Sequence, residues 1–421
     1  MPRFASTSRA LGPSGAGPAI DECSSVRAWG AIAALALAVF TVTATELMPI
    51  GVLPQIATDF GVSDGAAGLT VTMYGILAGL SAPVMTFWTG RANRRTLILS
   101  ILAVFVLGNL ATAVAPSYPL LLVVRLGIGL GHGLMWSIIA GVAVRLVPAR
   151  AAAHATSVVF SGISLALVAG VPIGTVLGVH LGWRATFLAL SAVTALAWLG
   201  VRLLVPKPLL QGAIGANKWR ELARVRSGLR PVLAVTALVV IGNYAAYTYI
   251  APFLIGSRDI HPSAVGTVLL VYGVFGVVGN FAAGAALRRV EGAHRMLVVA
   301  LPMVVAAALA VLVLAPSAAA VTLAMVAGWG IAYSALPVIL QTLIFRVADD
   351  SPEAATALYV LAFNVSIAGG AAAGALATNT LGAPAALLLG AAFCLAAAGA
   401  GLALLRARRT EDEGGPHHSP R

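Results

Sequence analysis

The segment "WGAIAALALAVFTVTATELMPIGVL", residues 29–53, is apolar or small at nearly every position and contains one ionisable side chain, Glu46. A helix of about 20 consecutive apolar residues spans the ~30 Å hydrocarbon layer of a bilayer. The segment is long enough to do so, and it therefore predicts a transmembrane helix. It also raises the question of what offsets a carboxylate inside the membrane.

Apolar runs of similar length recur throughout the 421 residues, of which 60% are hydrophobic and 10% are charged. A mean hydropathy of +0.96 is far above that of an ordinary soluble domain. Because a helix satisfies its own backbone hydrogen bonds in lipid, we predict an all-α integral membrane protein with twelve transmembrane helices. The predicted spans are 29–53, 66–88, 97–115, 119–147, 155–181, 185–205, 231–255, 264–287, 296–315, 318–345, 354–379 and 384–405.

The net charge of +12 is distributed unevenly over the predicted loops. Arg184 and Arg258 fall on one side and Arg125 lies within a span, whereas the rest of the 26 lysines and arginines share the other side. Basic loops mark the cytoplasmic side of a membrane protein. The charge therefore indicates orientation rather than nucleic-acid binding, and we predict that both termini are cytoplasmic.

The polar segments at the two ends of the chain, residues 1–27 and 406–421, predict disordered cytoplasmic tails. The first 26 residues lack the apolar core and cleavage site of a secretory signal. Cys23 then lies in the cytoplasm and Cys394 lies in the last span, so we expect no disulfide.

A basic polar segment, residues 206–230, separates six predicted spans from six. Two fixed offsets relate the sequences on either side of it. An offset of 198 aligns Pro54, Gly68, Tyr74, Gly75 and Arg91 with Pro252, Gly266, Tyr272, Gly273 and Arg289, and an offset of 200 aligns Gly170 and Gly174 with Gly370 and Gly374. We predict two pseudo-symmetric six-helix halves, residues 28–205 and 231–405, joined by a cytoplasmic linker at 206–230.

Five stretches of the chain resemble the major facilitator superfamily. They are "TELMPIGVLPQIATDFGVS" from residue 45, "RLGIGLGHGLMWSIIAGVAVRLVP" from 125, "SGISLALVAGVPIGTVLG" from 161, "GWRATF" from 182 and "NYAAYTYIAPF" from 243. Within the superfamily they are similar to the drug:proton antiporter group that includes bacterial arabinose and sugar efflux permeases. The resemblance covers about residues 28–405. It implies a major facilitator fold in a bacterial cytoplasmic membrane, with a substrate site between two rocking halves.

The loop after the second span departs from the family pattern Gly-x-Leu-Ala-Asp-Arg-x-Gly-Arg-Arg. The segment "TFWTGRANRR", residues 86–95, keeps the basic positions but has Gly90 at the acidic one. An acidic loop that begins at residue 349 with "DDSPEA" either replaces that acid or only begins a solvated helix. The predicted gating residues are Arg91, Arg94, Arg95, Asp349, Asp350 and Glu353.

Glu46 is the only acidic side chain within the predicted spans, where a charge costs at least ~2.5 kcal/mol unless it is offset. At ~1.5 Å per residue, Glu46 lies roughly 12 Å below Pro54, and Arg125 lies roughly 9 Å below Pro119. The resemblance implies that spans one, four, seven and ten line the cavity. We predict that Glu46 is the proton-coupling acid and that Arg125 tunes it. The alternative is that Glu46 is a permanent packing partner of Arg125 or of the backbone.

Arg125, Gly129, His132 and Trp136 recur at helical spacing on the fourth span. An imidazole titrates near neutral pH, so His132 is predicted to relay protons, although a lone histidine within a membrane span is more often a hydrogen-bonded packing residue. Trp136 either stacks on substrate or fills the core.

Polar side chains of the second half also recur at helical spacing and present carboxamides and phenols. These groups either hydrogen-bond a ligand or join helices. No charged group of the second half reaches the predicted cavity, which favours a neutral ligand or a cation held by Glu46. With Trp136, the predicted substrate-binding residues are Asn243, Tyr247, Tyr333, Gln341 and Asn364.

The segment "GVPIGTVLG", residues 170–178, has a glycine at every fourth position, which allows another helix to approach closely. Pro172 is expected to add a bend. By resemblance, Gly170, Pro172, Gly174 and Gly178 correspond to the stretch typical of antiporters.

Other classes of protein fit the sequence less well. Lys207 and Lys218 lie outside any phosphate-binding loop, and His-Glu-x-x-His and Gly-x-Ser-x-Gly patterns do not occur. We therefore predict no enzyme activity, cofactor or metal site. We predict a monomeric, lipid-embedded, proton-coupled secondary transporter that exports a sugar or drug-like small molecule. A nucleoside or metabolite exporter and a non-transporting receptor are the alternatives.

Overall fold

The computed structural model describes residues 22–88, 92–148, 151–206, 218–347 and 352–413, and these residues are almost wholly helical. Fourteen α-helices follow one another along the described chain, and one π-helical turn, Ala166–Gly170, joins α5 to α6. The helices are α1 (Glu22–Phe60), α2 (Asp64–Trp88), α3 (Arg94–Ala113), α4 (Tyr118–Arg145), α5 (Ala152–Leu165), α6 (Val171–Leu181), α7 (Trp183–Leu204), α8 (Lys218–Tyr247), α9 (Ile250–Arg258), α10 (Pro262–Arg289), α11 (Ala293–Leu314), α12 (Ala319–Val347), α13 (Pro352–Leu381) and α14 (Ala383–Glu413).

Each predicted span corresponds to one helical passage, and two of the passages are interrupted. The fifth consists of α5, the π-turn and α6, and the seventh consists of α8 and α9, which a turn at Thr248 and Tyr249 separates. Within the described residues, 11 helical segments are long and apolar enough to cross a membrane. The described part of α2 is not one of them.

The helices extend beyond the predicted spans into polar sequence. α1 begins at Glu22, inside the predicted first tail, and α8 begins at Lys218, inside the predicted linker. α14 continues to Glu413, inside the predicted last tail. Hydropathy marks only the part of a helix that suits lipid, whereas the backbone hydrogen bonds continue into water. The predicted linker residues 207–217 lie outside the described residues.

The two ends of the helical bundle differ in charge. Arg27 bonds to the carbonyl of Leu203, and Arg95 bonds to that of Arg202, so the start of α1, the start of α3 and the end of α7 meet at one end. We call this end the basic face. At the other end, the opposite face, Arg184 pairs with Asp59. The described basic side chains thus follow the predicted asymmetry.

Each half packs around its own core. One cluster of buried apolar side chains contains only residues between 31 and 205, and a second consists mainly of residues from 229 onward. The same close crossing occurs in both halves. A Cβ at Gly129 would overlap the carbonyl oxygen of Tyr74, and a Cβ at Gly330 would overlap that of Tyr272. The repeated Tyr74 and Tyr272 therefore occupy equivalent positions.

The halves touch along α2 with α13 and along α10 with the π-turn and α6. Near the opposite face, Tyr249 of the second half fits against Gly68 of the first, and its hydroxyl lies 3.5 Å from the Gly65 carbonyl oxygen. The same hydroxyl donates to the carbonyl of Ala371 within the second half at 2.9 Å. Deeper along the same boundaries, Gly75 packs on Ala368, and its repeat partner Gly273 packs on the backbone of Leu167. These contacts seal the opposite face.

We expect Gly330→Ala to destabilise the protein, because its methyl group meets backbone that cannot rotate away. Overpacking of this kind costs about 1–3 kcal/mol. Gly328→Ala on the same helix is the matched control, since nothing lies within 4 Å of its added Cβ. The measurement is the thermal midpoint of each purified variant in detergent. Equal midpoints for the two variants would contradict the close crossing.

Candidate functional site

A cavity of about 450 Å³ lies between the two halves. Its wall includes Tyr333 to Gln341, in the part of α12 that runs toward the basic face, and Tyr359 to Ile367, in the first part of α13. The cavity therefore extends from mid-depth toward the basic face, away from the seal. The first half contributes Thr43, Glu46, Leu47, His132, Trp136, Ile163, Ser164 and Leu167 to the wall.

Arg125 is fully buried behind this wall and bonds to main-chain oxygens of two other helices. Its guanidinium donates to the carbonyls of Thr45 at 2.8 Å, Glu46 at 3.2 Å and Thr70 at 3.2 Å. Pro49 explains why Thr45 is available. A helical carbonyl normally accepts from the N–H four residues later, and proline has none.

Glu46 adjoins Arg125 through its backbone, and its side chain points elsewhere. Among the described residues, His132 is the basic side chain within ion-pair distance of the Glu46 carboxyl group, with 3.7 Å between His132 Nε2 and Glu46 Oε2. The other oxygen, Oε1, is buried without a hydrogen-bond partner. The Glu46 carboxyl group therefore lies at the cavity wall, and its Oε1 can still accept a hydrogen bond.

His132 is the centre of a small hydrogen-bond network. Its Nδ1 lies 2.8 Å from the hydroxyl of Tyr74, and its Nε2 lies 2.6 Å from the indole Nε1 of Trp136. The Arg125 guanidinium stacks over the Tyr74 ring at 4.6 Å. The side chains of Arg125, Tyr74, His132 and Trp136 thus form one continuous network. Within this network, His132 is the side chain that approaches the Glu46 carboxyl group.

The second half contributes an aromatic wall. Tyr247 stacks on Tyr272 with ring centroids 4.6 Å apart, and both rings meet Trp329 edge-on. Asn243 holds this group together, because its Oδ1 accepts from Trp329 Nε1 at 2.9 Å and from the Tyr272 hydroxyl at 3.3 Å. Of the predicted substrate-binding residues, Asn243 is therefore already bonded within the wall.

Other side chains of this wall retain unused polar atoms. The hydroxyls of Tyr247, Tyr333 and Tyr359 and the Oδ1 of Asn364 are buried without a hydrogen-bond partner. Buried polar atoms are normally paired with protein, water or ligand. The predicted residues Tyr333, Gln341 and Asn364 all line the cavity.

The glycine repeat of the fifth passage packs against α1. A Cβ at Gly170 would press on Phe40, one at Gly174 on Met48 and one at Gly178 on Val52. The π-turn ends at Gly170, two residues before Pro172, so the helix is adjusted locally next to a residue that lacks an N–H.

The predicted charged gate is described only in part. Arg94 and Arg95 are buried at the start of α3. Arg95 bonds within its own half, to the carbonyl of Arg202. Arg91, Asp349 and Asp350 lie outside the described residues, as does the side chain of Glu353.

Sequence reasoning missed several residues of the site. The sequence pattern marks Tyr74 and Tyr272 only as repeat partners, and it does not distinguish Tyr244, Trp329 or Tyr359. Their signal was weak because an aromatic residue in an apolar helix usually indicates lipid or core contact. Within the described chain, no group of three or more His, Cys, Asp or Glu side chains is arranged to hold a metal.

The sequence matches the model of one protein family over most of its length. The family model of the Major Facilitator Superfamily matches residues 35–354. The chain belongs to this superfamily. Its fold is that of the superfamily's membrane transporters, and its helices make it a multi-pass membrane protein.

Solved major facilitator structures share this architecture at low sequence identity. A bacterial homolog of the human lysosomal transporter Spinster, in an inward-facing and occupied conformation, is 18% identical with a TM-score of 0.68, covering 89% of this chain and 96% of that one. A POT family transporter in complex with 5-aminolevulinic acid is 11% identical, with a TM-score of 0.75 and coverage of 91% and 96%. The nucleoside transporter NupG is 11% identical, with a TM-score of 0.72 and coverage of 89% and 98%. At these identities the likeness establishes the fold alone.

We expect Arg125→Lys to lower the thermal midpoint of this major facilitator protein. One ammonium group does not reproduce the planar set of donors that reaches three carbonyls, and each buried carbonyl left unpaired costs about 1–3 kcal/mol. Arg288→Lys, at an exposed position, is the control. A midpoint for Arg125→Lys equal to that of the control would show that the three bonds do not stabilise the fold.

Proposed function

We propose that this transporter exports a neutral or cationic small molecule in exchange for protons, by alternating access across a bacterial cytoplasmic membrane. The observation that supports this proposal most directly is Glu46, a buried carboxyl at the cavity wall with one oxygen unpaired. Glu46 is the coupling acid of the proposal, and His132 relays protons to it. The protein acts as a monomer within lipid.

The role of Arg125 in this proposal is to hold the coupling acid in place. Its donors are engaged by carbonyls of α1 and α2, so the Glu46 carboxylate is not paired with it. The guanidinium lies close to the carboxyl group without bonding to it. A carboxyl that is close to a cation but free of a direct bond can exchange protons without breaking an ion pair.

The chemistry of the wall favours certain ligands. Glu46 is the only acidic side chain among the described lining residues, and no lysine or arginine is among them. An anionic ligand would find no counter-charge there, whereas a cation can pair with Glu46. The unpaired phenols of Tyr247, Tyr333 and Tyr359 suit a ligand with several hydroxyl or amine groups. Sugars, drug-like amines and nucleosides all meet this description.

The direction of transport rests on the predicted orientation. The cavity extends toward the basic face, which the distribution of lysine and arginine predicts to be cytoplasmic. In this arrangement the structure corresponds to an inward-facing state that takes up its ligand from the cytoplasm. By analogy alone, the glycines at 170, 174 and 178 support export.

The decisive experiment is uptake into energised inside-out vesicles, using a labelled pentose, an amphenicol and a purine nucleoside. We expect one compound to accumulate, and we expect accumulation to collapse with an uncoupler and in Glu46→Gln, because the amide cannot carry the exchanged proton. Uptake of the nucleoside alone would favour the nucleoside alternative.

The control for this experiment is Glu291→Gln, which removes an exposed carboxylate in the loop after α10. We expect wild-type uptake for it. If Glu46→Gln also transports like the wild type, the carboxylate is structural and the coupling proposal fails. Saturable binding of a compound without flux would favour a receptor.

We expect Tyr249→Phe to weaken the seal at the opposite face, because it removes the hydroxyl that bonds to Ala371 of its own half and lies 3.5 Å from the carbonyl oxygen of Gly65 in the first half. A cysteine introduced at Ser164 in the cavity, in a background without native cysteines, should react faster with an impermeant maleimide from that face. Tyr118→Phe, which removes a bond to Ala66 within one half, is the control. Equal labelling rates in the two variants would contradict the role of Tyr249.

A further inference from the structure

The donors around His132 determine which ring nitrogen carries its proton. An indole N–H only donates, and Trp136 Nε1 lies 2.6 Å from His132 Nε2. Nε2 must accept this bond, so it bears no proton. A neutral imidazole has one N–H, which therefore lies on Nδ1 and donates to the hydroxyl of Tyr74, 2.8 Å away.

The nitrogen that Trp136 occupies is also the nitrogen that faces Glu46. Nε2 lies 3.7 Å from Glu46 Oε2. A proton that moves between the two side chains must use Nε2, because Nδ1 is directed at Tyr74. The indole and the carboxyl group therefore compete for one position on His132.

We propose that Trp136 is a positioning residue that holds His132 in the Nδ1–H tautomer and blocks proton transfer between Glu46 and His132 until the indole is displaced. Trp136 lines the cavity and stacks on Phe160, with ring centroids 5.9 Å apart. A ligand that enters the cavity meets the indole and moves it. The inference deepens the proposed function and rests on it, since Glu46 is the coupling acid there.

The proton step that follows is balanced within the site. Once the indole has left, the proton of the Glu46 carboxyl moves to Nε2, so that an O–H bond breaks and an N–H bond forms. The products are a carboxylate and an imidazolium, which pair with each other. The charged and titratable groups around this pair are Tyr74 from α2, Arg125 from α4 and, on the facing wall, Tyr244 from α8.

The test is the ¹⁵N spectrum of histidine-labelled full-length protein in detergent, because ring-nitrogen shifts distinguish both neutral tautomers from the imidazolium. The His132 signal is the one lost in His132→Gln. We expect the Nδ1–H tautomer in the wild type. In Trp136→Phe, which keeps a ring against Phe160, we expect a change to the Nε2–H tautomer or the imidazolium.

The matched control is Trp198→Phe, which removes an indole N–H bonded to the Leu99 carbonyl, and we expect it to leave the His132 signal unchanged. An Nε2–H tautomer in the wild type overturns the proposal before any variant is made. An unchanged His132 signal in Trp136→Phe also overturns it. Neither measurement needs a ligand or transport, so failure here is distinguishable from failure of the vesicle assay.

A second measurement tests the block on proton transfer. Proteoliposomes that contain a pH-sensitive dye report proton entry after an acid jump, without any ligand. We expect proton entry about fivefold faster in Trp136→Phe than in Trp198→Phe, the size expected for the loss of one hydrogen bond, and we expect Glu46→Gln to remove the increase. Equal rates in the two tryptophan variants would overturn the block.

Discussion

The buried guanidinium of Arg125 is the interaction on which the candidate site depends. An unpaired charge at this depth would be strongly unfavourable, and the chain offsets it with three carbonyl oxygens and the face of Tyr74. These bonds join α1, α2 and α4 at the level of Glu46. They fix the position of the acid while leaving its carboxylate out of the pairing. Pro49 is part of this arrangement, because it frees the Thr45 carbonyl from the helix.

The two halves share the same glycine-mediated helix crossing, but the polar side chains around that crossing differ. Gly129 allows α4 to cross α2 at Tyr74, and Gly330 allows α12 to cross α10 at Tyr272. The hydroxyl of Tyr74 then meets an imidazole, whereas that of Tyr272 meets the carboxamide of Asn243. Equivalent backbone positions therefore support an ionisable network in one half and an aromatic group in the other.

Hydropathy could predict the helices because it depends on each segment separately, and the orientation drawn from charge stays a prediction. Individual contacts could not be predicted in this way. Counting residues from the ends of the spans places Arg125 and Glu46 at the same depth in the membrane. It could not show that the guanidinium bonds to main-chain oxygens rather than to the carboxylate. Trp329 was missed because its role depends on Asn243 of another helix. The charged gate stays a prediction, since Arg91, Asp349 and Asp350 lie outside the described residues.

The chemical division between the two walls of the cavity has an evolutionary consequence. The carboxyl and the imidazole belong to the first half, and most of the aromatic rings that would contact a ligand belong to the second. A substitution among those rings changes the shape offered to a ligand without altering a bond of the Arg125 and His132 network. Duplicated copies of such a gene can therefore diverge in the shape of the second wall while each inherits an intact Arg125 and His132 network.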